Sequence, residues 1–379
     1  MPAGYKRIIL LIVALALAAA VLLPLAARPV MMALARKALE RSFPGSAVSI
    51  GGCALTINSL TLSDIAIKRG TLYEVRIGEA GVAYNPCCMF AGSVKELYAD
   101  NVAITVDMPG KGIAALKEFV RTGGEANKFS IDAMRFSHVA FNVLTNDVRL
   151  KAALSLELKG QSIERINAKI DTFDRAALSV KNARLKIASN GVGTFECAKV
   201  SYDKARMMNL KAVARLKGRA VALDGLSADL FGGKVSGNAT LALSATAPHE
   251  LILKAGEVDV DKMLGELDIS KKIRMTGIVS GDLTADIRAG LLTSLKGVFA
   301  ASKEGGTLTI VDDKILETIA ERTKQPLDII RNSFKDYRYT SGTVGLALEK
   351  GSVILDIALE GDKGKRNVSV ILHDVGAAE

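Results

Sequence analysis

His138, His249 and His373 are the side chains best suited to exchange a proton near neutrality, and each stands alone among strand or turn residues. Acid–base or nucleophilic chemistry needs a base within reach of a nucleophile or of a second acid. No G-x-S-x-G elbow, H-E-x-x-H pair or phosphate-binding P-loop accompanies them. Asp259, Asp261 and Asp268 come nearest to a metal set, but early acids are what a helix N-terminus selects. Gly110-Lys111-Gly112 and Gly191-Val192-Gly193 are isolated and read as turns. Cys53, Cys87, Cys88 and Cys197 contain no C-x-x-C and have no histidine beside them, so neither a zinc nor a thioredoxin-like site is supported. An oxidising compartment would allow one disulfide, from Cys53 to Cys87 or Cys88; the other reading is four small buried hydrophobes. The residues predict no catalytic site, no metal and no cofactor, and therefore a protein that is not an enzyme.

Composition turns attention from sites to surfaces. Apolar residues make up 49% of the 379, with no Trp, 7 Tyr and 11 Phe, and mean hydropathy is +0.25. Aliphatic side chains therefore supply the apolar area, which suits a smooth lining better than a pocket that stacks flat ligands. The net charge of +10 is spread along the chain and not interleaved with aromatics, so no nucleic-acid footprint is present. An anionic membrane surface is the partner such a charge suits; a solvated basic face is the plainer reading.

The elements that would carry these surfaces begin with an anchor. Residues Ile8 to Ala27 form an unbroken apolar run preceded by Lys6 and Arg7. As a helix it is long enough to span the roughly 30 Å hydrocarbon core of a bilayer, with Lys6 and Arg7 held in the cytoplasm and the bulk of the chain on the far side. A cleaved signal peptide is the rival, but its apolar region is shorter, and Leu25-Ala26-Ala27 puts a bulky residue where cleavage wants a small one. A helix then runs from Pro29 to about Phe43, with Leu34, Ala35, Ala38 and Leu39 on one face and Arg36, Lys37, Glu40 and Arg41 on the other, ended by Pro44-Gly45.

Beyond it the apolar period changes from 3.6 to 2. Leu55, Ile57, Leu60, Leu62, Ile65 and Ile67 alternate with polar residues, as do Val102, Ile104 and Val106. Recurrent copies are interrupted by a small polar pair or near-pair, Ser63-Asp64, Asp100-Asn101, Ser137-His138 and Lys181-Asn182. Such a step suits a bulge that lets the strand continue on the same face. The expected fold is mainly β: a repeat-built antiparallel sheet of roughly 18 to 22 strands, too many to remain open and so curled into a groove. Short helices interrupt it at Gly112 to Arg121, at Asp259 to Glu266, and at Asp312 to Asn332, the last split at Pro326. The chain divides into an n-region at 1–7, the anchor at 8–27, an amphipathic juxtamembrane helix at 28–44, the β-groove at 45–300, and helices plus a closing meander at 301–379.

The anchor, the short helix and the x-Leu-x-Leu-x-x-Ile-x-Ile cadence resemble the AsmA-like family of the bacterial envelope. Leu226-Ser-Ala-Asp-Leu230-Phe-Gly-Gly-Lys-Val235-Ser-Gly237 is similar to that family's strand with a Phe-Gly-Gly turn, and Val258 to Leu264 through Gly277 to Thr284 to its helix-then-strand passage. Gly305-Gly306-Thr-Leu308-Thr-Ile310 with the helices after it is similar to its longer members. The resemblance implies a bridge-like lipid-transfer protein, anchored in the bacterial inner membrane through residues 8–27 with its bulk in the periplasm. Its ligand would be phospholipid moving between inner and outer membranes, and an outer-membrane or periplasmic protein would complete the span. Leu55, Ile57, Leu60, Leu62, Ile65, Ile67, Val102, Ile104 and Val106 are the expected groove lining. The alternative is a non-enzymatic envelope assembly factor that binds other envelope proteins, in which the same residues form a closed core.

Overall fold

A computed structural model describes residues 28–85, 93–108, 130–160, 162–175, 177–218, 220–242, 247–288 and 291–372. They group into two compact units, Met1–Ala176 and Ala177–Glu379. The apolar run at 8–27, the helix expected from Gly112 to Arg121, and Cys87, Cys88 and His373 lie outside the described residues. Among the described residues no helix is long and apolar enough to cross a membrane.

The first unit opens with helix α1 (residues 28–42), whose exit is turned by Gly45 at φ +78°. Seven strands follow: β1 (Ala47–Leu55), β2 (Ser59–Arg69), β3 (Tyr73–Ala83), β4 (Ser93–Met108), β5 (Ser130–Thr145), β6 (Val148–Lys159) and β7 (Ser162–Arg175). Each pairs with the next. All these pairings are antiparallel except β4 with β5, which is parallel. The wholly antiparallel sheet expected above is therefore corrected to a mixed one. A parallel neighbour needs a crossover of a dozen or more residues, and residues 109–129 supply that length. Strand alternation is the same in either pairing, so the period could not reveal it.

The second unit contains β8 (Leu178–Ile187), β9 (Val192–Tyr202), β10 (Ala205–Lys217), β11 (Ala220–Leu230), β12 (Gly233–Ala242), β13 (His249–Asp259), β14 (Ile273–Met275), β15 (Ile278–Arg288), β16 (Leu291–Ala301), β17 (Gly306–Ile310), β18 (Tyr337–Glu349), β19 (Ser352–Gly361) and β20 (Gly364–Leu372). Its pairings run antiparallel from β8 through β13, then to β15, β16, β18, β19 and β20, with β14 on β17 and β17 on β18. The Phe-Gly-Gly motif is explained by the β11–β12 turn. Leu230 pairs with Gly233, leaving Phe231 and Gly232 as a two-residue loop with φ of +47° and +82°, the twist that a hairpin of right-handed strands requires.

Among the described residues three helices interrupt this unit: α2 (Val260–Glu266), α3 (Asp313–Thr323) and α4 (Leu327–Phe334). Asp259 and Asp312 cap the first two, their carboxylates accepting from Lys262 N at 3.2 Å and Lys314 N at 2.9 Å. Pro326 forms the N-cap position of α4, so the break at this proline matches its inability to continue a helix. Leu264, Leu316, Ala320, Ile330 and Phe334 bring the three helices into one cluster with Val258, Met275, Leu308, Tyr337 and Tyr339. Tyr337 and Tyr339 are sealed in it, donating to Gly364 O and, at 2.6 Å, to Thr276 O. Burial pushes the Tyr339 phenol up to about 12.

Candidate functional site

The polar steps in the sequence prove to be single left-handed residues. Asp64, Asn101, His138 and Asn182 have φ between +51° and +54°, and Asn209, Gly225 and Glu257 adopt the same conformation. Asn and Asp tolerate this region better than most side chains. One left-handed residue cancels one alternation, so Leu62 and Ile65 both pair with apolar partners on one face, Ala80 and Ile77. In the first unit these residues line up across the strands. The register sets Asp64 opposite Gly51 and Gly78, Gly78 opposite Asn101, and Asn101 opposite His138. The glycines are required by close approach: a Cβ on Gly78 would stand 2.9 Å from the Asn101 Cβ.

Strand β6 does not step with its neighbour, and the β5–β6 register slips between Phe136 and Val139. A slip of this kind frees a backbone N–H that must find another acceptor. His138 N donates to Ser155 Oγ at 3.3 Å, Gly225 N to Asn238 Oδ1 at 3.1 Å and Glu257 N to Ser280 Oγ at 3.0 Å. Sequence reading missed these three acceptors. Their only signal is a short polar residue on the strand after each step, which alternation alone does not single out.

The result is a face that stays apolar across every strand of the first unit. One rung reads Leu55, Leu60, Val82, Leu97, Met134, Leu158 and Ile163, each paired with the next. All seven are half-buried. A second rung reads Ile50, Ile65, Ile77, Val102, Val139, Leu154 and Ala168. A third, toward α1, includes Val48, Ile67, Val75 and Ile104. Here the face is sealed: Leu39 and Phe43 pack with Val48, Ile65, Ile67, Tyr73, Val75, Val106, Met108 and Val143.

The nine residues expected to line the groove thus fall into three groups. Ile65, Ile67, Val102 and Val106 are buried, while Leu55, Leu60, Leu62 and Ile104 are half-buried on the same face. Ile57 is not on it. It stands 85% exposed in the turn between β1 and β2, because Thr56-Ile57-Asn58 keeps the two-residue period through a hairpin.

In the second unit a rung of Ala214, Leu223 and Ala239 is buried, and it continues as half-buried Leu251, Ala285 and Leu295. Cys197 lies two rungs away, between Ala183 and Leu210. Burial pushes its thiol pKa up, and Cys53 is likewise a buried thiol, both behaving as small hydrophobes.

The opposite face of the first unit is polar. Tyr98 lies across Gly81, where a Cβ would meet its ring at 2.6 Å, and its hydroxyl joins Thr61 Oγ1 at 2.8 Å to Glu79 Oε1 at 2.9 Å. His138 Nδ1 is 2.8 Å from Asp100 Oδ1, and this hydrogen bond holds the Asp100 carboxyl below its ordinary range. His249 Nδ1 accepts from Ala242 N at 3.1 Å, a structural role at the β12–β13 connection. Asp268 is tied to Lys204 and Lys271 at 3.2 Å each, and Asp259 is a helix cap. Among the described residues no group of histidine, cysteine, aspartate or glutamate could hold a metal ion.

Within each unit, a strand-built apolar face partly covered by helix is suited to burying alkyl chains. No curated protein matches the chain. The family model described as YdbH-like, intermembrane phospholipid transport protein YdbH, matches residues 119–365. That span is well over half of the sequence, and this chain belongs to the YdbH-like family, which is related to the AsmA-like bridge lipid transporters.

Proposed function

We propose that this protein is a non-catalytic carrier of phospholipid between the inner and outer membranes of a bacterial envelope. In this reading residues 8–27 anchor it in the inner membrane and the β-structure stands in the periplasm. Acyl chains lie against the aliphatic rungs while head groups stay in water at the strand ends. The observation that carries the proposal is the rung from Leu55 to Ile163, apolar on each of the seven described strands yet only half-buried. A closed sandwich core would bury such a rung. Alkyl groups gain about 0.8 kcal/mol per CH₂ on leaving water, whichever aliphatic residue receives them. Rungs that repeat from strand to strand, roughly 4.8 Å apart, let a lipid move with little change in free energy. The buried residues Ile65, Ile67 and Val106, with Leu62 and Ile104 packed on them, form the end wall, and Leu60, Val82 and Leu97 the path.

A photoreactive side chain at position 97 tests this in the living cell. It is expected to capture phospholipid, whereas the same group at Arg76, on the polar face, captures none. Equal labelling at both positions would sink the carrier reading. Leu60→Asp, which places a charge in the path, is expected to lower capture at position 97, and Leu60→Val to leave it unchanged. The assembly-factor reading finds its support in β20, which pairs with β19 and offers an edge with Ile371 half exposed. A protein partner there would extend the path without replacing it.

A further inference from the structure

Basic side chains on the outward faces of the two units are paired to different extents. In the first, Arg76 is matched with Glu74 at 2.9 Å, Arg135 with Glu96 at 3.1 Å and Lys169 with Asp171 at 2.6 Å, while Lys151 stands without an ion pair among the described residues. On β8–β10 Arg215 pairs with Asp224 at 3.1 Å, but a cluster of six others is unmatched. Lys181, Arg184, Lys186, Lys199, Arg206 and Lys211 have no ion pair among the described residues. The register places Lys181 directly opposite Lys199 and leaves Glu196 alone between Arg184 and Lys211. Like charges directly opposed in a sheet are destabilising, so the arrangement costs folding stability with no internal return. The inward positions of these strands are the buried Ala183, Cys197, Leu210 and Ala214, so the basic side chains all share the outer side.

Apolar side chains are interleaved with them. Outward along β10, Arg206, Met208, Lys211, Val213 and Arg215 alternate basic with apolar, and Met208 and Val213 are 40% and 42% exposed. Met208 sits opposite Lys199, and Val213 opposite Thr194. An acidic protein would be met by charge alone. A bilayer surface rewards both kinds of side chain, since apolar tips enter the head-group layer while lysines and arginines reach its phosphates.

We propose that the outer face of β8–β10 is a docking surface for anionic phospholipid bilayer, separate from the inward apolar rungs and independent of whether those rungs carry lipid. The test uses the full chain held in phosphatidylcholine nanodiscs and mixed with free vesicles of phosphatidylcholine, with or without phosphatidylglycerol. Flotation is expected to show capture only of the vesicles containing phosphatidylglycerol, declining as salt rises. The triple variant Lys181→Gln, Lys199→Gln, Lys211→Gln should weaken capture by about fivefold per charge removed, the equivalent of ~1 kcal/mol each. Met208→Ser with Val213→Ser should weaken it too, and Lys151→Gln, on the outer face of the first unit, should not. Circular dichroism of each variant, with unchanged strand signal, confirms that the sheet persists. Capture that ignores phosphatidylglycerol, or survives the triple substitution, overturns the proposal. So does a triple variant that loses polyglutamate binding while keeping vesicle capture, which would identify an acidic protein as the partner.

Discussion

Strand β2 carries the same kind of residue on both sides of Asp64, and the two sides have different fates. Ile65 and Ile67 are 3% and 1% exposed, whereas Leu60 and Leu62 on the same face remain half-buried. Alternation, aliphatic character and strand pairing are shared. What differs is the cover: Leu39 and Phe43 pack on the cluster that holds Ile65 and Ile67, whereas Leu62 is only partly buried against that cluster and Leu60 is not part of it. Pattern therefore decides which face a side chain takes, and cover decides whether that face is a core or a surface available to a ligand. The second unit repeats the contrast, with the helix-sealed cluster around Leu316, Ile330 and Tyr337 against half-buried Leu251, Leu295 and Leu346.

The sharpest way to break the comparison is to truncate both sides. Ile67→Ala is expected to cost ~2–5 kcal/mol, transfer plus cavity, while Leu60→Ala, already facing solvent, should cost under about 1 kcal/mol. Urea unfolding of the two variants measures the difference, and equal losses would mean that the open side is a core after all. A smaller effect comes from the line of left-handed residues that joins the halves. Asn101→Val, forcing a β-branched residue to φ +54°, should cost ~1–3 kcal/mol. Asn101→Gly should stay within about 1 kcal/mol of the parent, and a Val variant as stable as the Gly variant would show that the step is not held in that conformation.

The smallest effect is on the polar side. Asp100 titrates below its ordinary 3.8 because of the His138 hydrogen bond. A depressed folded pKa contributes stability that is present above the unfolded value and lost as pH falls through the folded one. His138→Ala should therefore raise the Asp100 pKa, seen by carboxyl NMR titration, and flatten the acid limb of the stability profile below about pH 4. An unmoved Asp100 resonance would remove His138 as the cause.

Much of this contrast was legible in the residues. Asp312 to Asn332 broke at Pro326 as its chemistry requires, and Ser63-Asp64 and Asp100-Asn101 marked the left-handed steps because those side chains tolerate them. The parallel β4–β5 pairing was not legible, since side-chain period is blind to strand direction. Nor was the exposure of Ile57, whose hairpin preserved the alternation around it. The full burial of Ile67 beside half-buried Leu62 depends on the tertiary packing around Leu39 and Phe43, which no local pattern encodes.

The central claim, that the open rungs hold acyl chains, is tested most directly by purifying the full chain in mild detergent and extracting it for phospholipid by mass spectrometry. The account predicts several phospholipids bound per chain, largely lost in a folded Leu97→Asp variant and retained in Ile67→Val. Folded parent protein free of phospholipid, or a Leu97→Asp variant as fully loaded as the parent, would contradict it.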